Sequence, residues 1–164
     1  MSVSAPDDAV SIATSPGGTP GPSRTGDTRV HASCVAIQGR GVLLLGASGS
    51  GKSDLAARLI DGGGTLVADD QVLVTRRADA LVARPPEALA GLLEVRGVGI
   101  LKLPFCAAVP LRLVVELAES RGPRLPPAAF YVLLGIELPC VRLDPTRPSA
   151  AAIIRMALCA ERFA

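Results

Sequence analysis

The stretch Gly46-Ala47-Ser48-Gly49-Ser50-Gly51-Lys52-Ser53 constrains this chain more than any other. It satisfies the pattern G-x-x-x-x-G-K-[ST] in full, and its context fits that pattern too. Before it stands Val42-Leu43-Leu44-Leu45, a continuous apolar run of the kind seen in strands buried on both faces. After it, Leu55, Ala56, Leu59 and Ile60 recur at helical spacing until Gly62-Gly63-Gly64 ends the helix. The glycines allow successive backbone N–H groups to turn inward around a phosphate. The helix N-terminus adds the positive end of its dipole, and Lys52 adds a mobile point charge. Ser53 offers a hydroxyl for Mg²⁺. A glycine-rich turn matching by chance would not also bring the strand, the Lys-Ser pair and the helix, so residues 46–53 are expected to hold a nucleotide.

Around this loop the composition divides the chain. Pro, Gly, Ser and Thr fill 17 of the first 28 positions, too little apolar surface to offset the entropy of ordering. Residues 1–28 are therefore expected to form a disordered tail, and residues 29–164 one domain of ordinary size with its own core. The net charge of +2 combines a tail at −2 with a domain at +4. That balance suits an anionic ligand and argues against a nucleic-acid-coating protein. Aromatic residues make up only 2% of the chain, which argues against base-stacking platforms. No basic n-region with an apolar h-region opens the sequence, and no apolar run reaches membrane-spanning length. The four cysteines, Cys34, Cys106, Cys140 and Cys159, form no Cys-x-x-Cys pair and read as free thiols. A cytoplasmic protein without membrane contact is the expectation.

The remaining pattern is α/β with more strand than helix. Val30–Ile37 reads as a strand turned by Gly39-Arg40-Gly41, and Thr65–Ala68 as a buried strand ending at Asp69-Asp70. Val72–Val74 and Leu81–Ala83 flank a polar turn, as in a hairpin. Pro85-Pro86-Glu87 opens a short helical turn. Leu92–Val95 leads into the glycine-bearing Gly97-Val98-Gly99, which reads as a close backbone approach. Leu111–Leu117 is a strand, and 128–143, broken at Gly135 and Pro139, reads as two short ones. Ser149 is expected to cap a last helix that buries Ala152, Ile153, Met156, Ala157 and Ala160.

Several polar residues stand where phosphate chemistry would use them. A carboxylate at the end of a strand beside a phosphate loop is where such enzymes steady their metal, and Asp69-Asp70 allows one group for the metal and one for a nucleophile. The same pair would also serve as a polar turn. His31, the lone histidine, reads by itself as a structural or surface residue. Glu94 and Arg96 flank Val95 and share a strand face, as a solvated ion pair would. Arg121 and Arg124 bracket a Gly-Pro loop and read as surface charge.

Taken together, His31, the phosphate loop, Val67-Ala68-Asp69-Asp70 and Glu94-Val95-Arg96-Gly97-Val98-Gly99 resemble the catalytic domain of HPr kinase/phosphorylase over residues 29–160. Members of that family phosphorylate a serine of the phosphocarrier protein HPr. The length resembles the short alphaproteobacterial form that lacks a separate N-terminal domain. The resemblance implies a P-loop domain of the phosphoenolpyruvate carboxykinase-like fold, ATP and Mg²⁺ as cofactors, an HPr-like protein as partner, and a homohexamer. It also implies roles. His31 matches the active-site histidine, Lys52 the phosphate lysine, and Ser53 the metal-binding serine. Asp70 matches the carboxylate that receives the serine hydroxyl, Glu94 a second metal-site carboxylate with Asp69 nearby, and Arg124 an active-site arginine. An aspartate with an ordinary pKa near 4 is a weak base toward an alcohol, so orientation is expected to outweigh early proton removal.

The family's longer members also attack phosphoserine with inorganic phosphate, using a basic Pro-Val-Arg-Pro-Gly-Arg loop. Here the corresponding stretch is Leu143-Asp144-Pro145-Thr146-Arg147-Pro148-Ser149, with one arginine, no glycine and an added carboxylate. Weak phosphorylase activity is the expectation. Two other readings stay open at this level. One is a small-molecule P-loop kinase, which would need an Arg-rich lid. The other is a non-catalytic ATP-sensing module, which would not need Asp70.

Overall fold

Strands β1 (Val10–Ile12), β2 (Gly21–Pro22), β3 (Thr28–Ile37) and β4 (Arg40–Leu45) precede helix α1 (Lys52–Asp61) in the computed structural model. Then come β5 (Thr65–Ala68), β6 (Gln71–Arg77), β7 (Ala80–Arg84), a single 3-10 turn at Glu87–Leu89, β8 (Leu92–Val95) and β9 (Gly99–Lys102). β10 (Val109–Leu117), β11 (Ala129–Leu133), β12 (Ile136–Leu143) and α2 (Ala150–Cys159) follow. The structure describes residues 10–12, 21–22, 27–119 and 122–160.

Ten strands join in one mixed sheet of order β1-β11-β12-β10-β4-β3-β6-β7, with β2 and β5 pairing β3 off that path. The first residues of β10 pair antiparallel with β7, and the rest runs parallel to β4 and to β12. Strands β4, β3, β6, β7 and β10 thereby close into a ring. The β3–β4 hairpin is tied by Gln38 and Gly39, both at positive φ, which is the two-residue geometry that matches strand twist. The turn lies one residue earlier than Gly39-Arg40-Gly41, because Arg40 already pairs with Ile37.

Apolar alternation explains the two cores. Leu43 and Leu45 of β4 join Val30, Ala32 and Cys34 of β3 in a core made of strand residues alone. Val42 and Leu44 point the other way, onto Leu55, Ala56 and Leu59 of α1 and Ala150 and Ile154 of α2. A strand covered on both faces needs an unbroken apolar run, as the sequence shows.

Three expectations are corrected. Pro139 does not end a strand: it lies inside β12, paired with Phe130 and just ahead of Cys140, where pairing to β10 begins, so its missing N–H breaks no rung there. Helix α2 is rotated about its axis from the expected face. Ala150 and Ile154 are buried while Ala152, Met156 and Ala160 are exposed, and Ser149 makes no side-chain cap. The expected tail also ends too late. Asp27 and Thr28 are buried, and Asp27 accepts hydrogen bonds from Thr75 and Arg84. Residues 10–12 pair with β11 and 21–22 with β3, whereas the other residues of the expected tail lie outside those described.

Candidate active site

The partner switch along β3 creates the site. Its first residues, through His31, pair with β6, and from Cys34 onward they pair with β5. The chain crosses from β5 to β6 through Asp69-Asp70, so this bend lies beside β3 where the switch occurs. Asp70 adopts φ +66, a left-handed conformation that aspartate tolerates better than most residues. Its side chain stays exposed and meets His31 Nδ1 at 3.3 Å. The other ring nitrogen of His31, Nε2, lies 3.5 Å from Ser48 Oγ in the phosphate loop.

Asp69 turns the opposite way and is buried. Its Oδ1 accepts hydrogen bonds from Ser33 Oγ at 2.6 Å and Ser53 Oγ at 2.9 Å. Its Oδ2 lies 3.1 Å from the same Ser53 hydroxyl and 3.4 Å from the backbone N of Glu94. Ser33 was not singled out from the sequence. The available signal was its place two residues after His31, hence on the same strand face.

Residues 46–51 connect β4 to α1. Gly51 has φ +101, which a side chain would resist, and α1 starts without a side-chain cap. The N–H groups of its first turn are left for an external acceptor. Lys52 folds back to donate to the carbonyls of Gly46 at 2.7 Å and Ala47 at 2.9 Å. Burial pushes its ammonium below the usual lysine range, and the Asp69 and Asp70 carboxylates partly restore it. Ser50 Oγ is buried and has no hydrogen-bond partner among the described residues.

A cleft of about 530 Å³ is lined by the phosphate loop, His31, Asp69, Asp70 and Glu94. Glu94 and Arg96 both reach it, with Arg96 in the turn of the β8–β9 hairpin rather than on a strand. Gly97 at φ +86 and Gly99 at φ +120 serve that turn. An added Cβ on either would meet nothing within 4 Å, so neither glycine serves a close approach to another described part of the chain. Thr146 also lines the cleft. Its N–H and hydroxyl donate to Asp144 Oδ1 at 2.9 and 2.7 Å, and Arg58 holds the same loop through the carbonyls of Pro145 and Arg147. Arg124 is exposed and is not among the cleft-lining residues, while Arg121 lies outside the described residues.

The donor set fits a nucleotide with a divalent cation. Uncapped N–H groups, an orphaned buried hydroxyl and a lysine over the loop match phosphate, and Ser53 with Glu94 offers hard oxygen donors. Among the described residues no three His, Cys, Asp or Glu side chains gather closely enough to hold a metal alone. A cation here would complete its shell with phosphate and water oxygens. Nor, among the described residues, is any helix long and apolar enough to cross a membrane.

Comparison with known proteins agrees with this geometry. The HPr kinase/phosphorylase of Halalkalibacterium halodurans is 49% identical over 146 residues, covering 79% of this chain and 46% of the relative. That of Geobacter sulfurreducens is 35% identical over 134 residues, covering 74% and 42%. The chain thus spans less than half the length of these curated relatives. The solved Hpr(Ser) kinase/phosphatase of Coxiella burnetii shares the fold, with a TM-score of 0.69 at 24% identity over 78% of this chain and 91% of that one. The family model HPr Serine kinase C-terminal domain matches residues 24–108, from just ahead of β3 to the residue before β10. That span holds His31, the phosphate loop, Asp69-Asp70 and the Glu94 hairpin, and by this match the chain belongs to the HPr serine kinase C-terminal domain family.

Proposed function

We propose that this chain is an ATP-dependent kinase that phosphorylates a serine of an HPr-like phosphocarrier protein. The observation that carries this reading is the pairing of Asp70 with His31 at the mouth of a phosphate loop, where an incoming hydroxyl would meet a carboxylate. Family membership supports it. When bound, ATP supplies the phosphoryl group and Mg²⁺ the charge that steadies it.

The chain's own residues do the rest. The loop N–H groups and Lys52 bind and orient phosphates, and Ser53 and Glu94 offer oxygens to the cation. Asp69 steadies Ser53 from behind. Asp70 accepts the hydrogen bond of the serine hydroxyl and aims its oxygen, while His31 fixes the Asp70 carboxylate. Acceleration rests mainly on positioning and charge stabilisation. Arg96, which lines the cleft, is nearer this task than Arg124.

Phosphorylase activity is proposed to be weak, because Asp144 puts a carboxylate in the loop beside the cleft and Arg58 straps that loop to α1. A cytoplasmic, homo-oligomeric enzyme is part of the same reading. Exposed Val98, Ile100, Leu101 and Phe105, clustered on and just after the β8–β9 hairpin, support an assembly that covers them. Incubation with γ-labelled ATP, Mg²⁺ and the HPr-like protein is the test. Label on a serine is expected. Nucleotide binding without transfer would favour the sensing module instead.

A further inference from the structure

Ser33 is fully buried on β3, in a position where an unpaired hydroxyl would be costly. Its one proton goes to Asp69 Oδ1 at 2.6 Å, the short distance of a charge-assisted O–H···O⁻ bond. Asp69 is in turn the acceptor for the hydroxyl of Ser53. Three separate elements therefore grip one carboxylate: β3 through Ser33, the start of α1 through Ser53, and β8 through the backbone N of Glu94.

We propose that Ser33 is a positioning residue for cation binding, holding Asp69 so that Ser53 must give its proton to the carboxylate and present its oxygen lone pairs to a divalent ion. The inference rests on the nucleotide reading above and deepens it. It also reassigns Asp69, expected from the sequence as a metal ligand. With its oxygens engaged by protein donors, Asp69 acts as the bracket behind the ligand. Without the Ser33 hydroxyl, Oδ1 keeps only the shared Ser53 proton. The carboxylate is then gripped only by the Ser53 hydroxyl and, at 3.4 Å, by the Glu94 N–H on Oδ2, so it turns more easily about its terminal torsion and Ser53 is oriented less firmly. Removing such outer partners typically weakens metal binding about 10–100-fold.

The test uses the full chain with Mn²⁺ as probe, followed by its electron paramagnetic resonance signal in the presence of a non-hydrolysable ATP analogue. Ser33→Ala is expected to weaken Mn²⁺ binding about tenfold or more. Binding of the analogue in EDTA should stay within about twofold, since the phosphate loop is untouched. Cys34→Ala, one residue away and on the opposite face of β3, creates a cavity in the strand-only core. It should lower the melting temperature yet leave Mn²⁺ affinity unchanged, which separates positioning from general stability. Ser33→Cys, nearly the same size with a weak S–H donor, should also weaken Mn²⁺ binding and carries the test if the alanine variant does not fold. Wild-type affinity in either folded variant, with wild type itself binding Mn²⁺, overturns the proposal alone. A wild-type chain that binds neither the analogue nor Mn²⁺ overturns the nucleotide reading and this inference with it.

Discussion

Asp70 and Lys52 sit within one cleft but do separable work. Asp70→Asn is isosteric and leaves the phosphate loop intact, so analogue binding should persist while turnover toward the protein serine falls well over tenfold. Single-turnover transfer measured beside nucleotide affinity checks this. Lys52→Ala should weaken both, because Lys52 reaches phosphate before as well as during transfer. Thiol chemistry gives a further check at this scale. Cys159 is exposed, whereas Cys34 and Cys140 are buried, and burial pushes the Cys34 thiol far above its usual range. A thiol reagent should therefore modify Cys159 quickly in the native protein and reach Cys34 only on unfolding, as peptide mapping would reveal.

At the level of elements, α2 shows where pattern reading stops. Its run of small and apolar residues on nearly every side left several faces equally apolar, so periodicity could not select one. Contact with α1 and β10 chose the side carrying Ala150 and Ile154. Ile154→Ala should cost about 2–5 kcal/mol in chemical denaturation, while Met156→Ala should change stability by under about 0.5 kcal/mol. The phosphate loop was fully legible because its chemistry is local: glycines, lysine and serine act within eight consecutive residues. The His31–Asp70 pairing and the Ser33–Asp69–Ser53 bracket depend on where β3 changes partners. Only the resemblance hinted at the first, and nothing local encodes the second.

For the molecule as a whole, Asp27 anchors the edge of the ring through Thr75 and Arg84. Deleting residues 1–26 should lower the melting temperature by no more than a few degrees, whereas Asp27→Ala in the full chain should cost about 1–3 kcal/mol by removing the buried carboxylate that the half-buried Thr75 and Arg84 share. Thermal unfolding of the two variants side by side decides the point. Strand β10 has a wider consequence. It fills the slot between β4 and β12 and also closes the ring on β7, pairing Val115 with Leu44 across a long stretch of chain. Such distant pairing forms late, after the loop-closure entropy has been met. A nascent chain that has not yet delivered Val109 therefore carries β4 with an open flank beside Val42–Leu45, a template onto which other chains can add. The family-matched span stops at residue 108 and still includes every carboxylate of the cleft, yet it should be synthesised as inclusion bodies while the full chain stays in the supernatant.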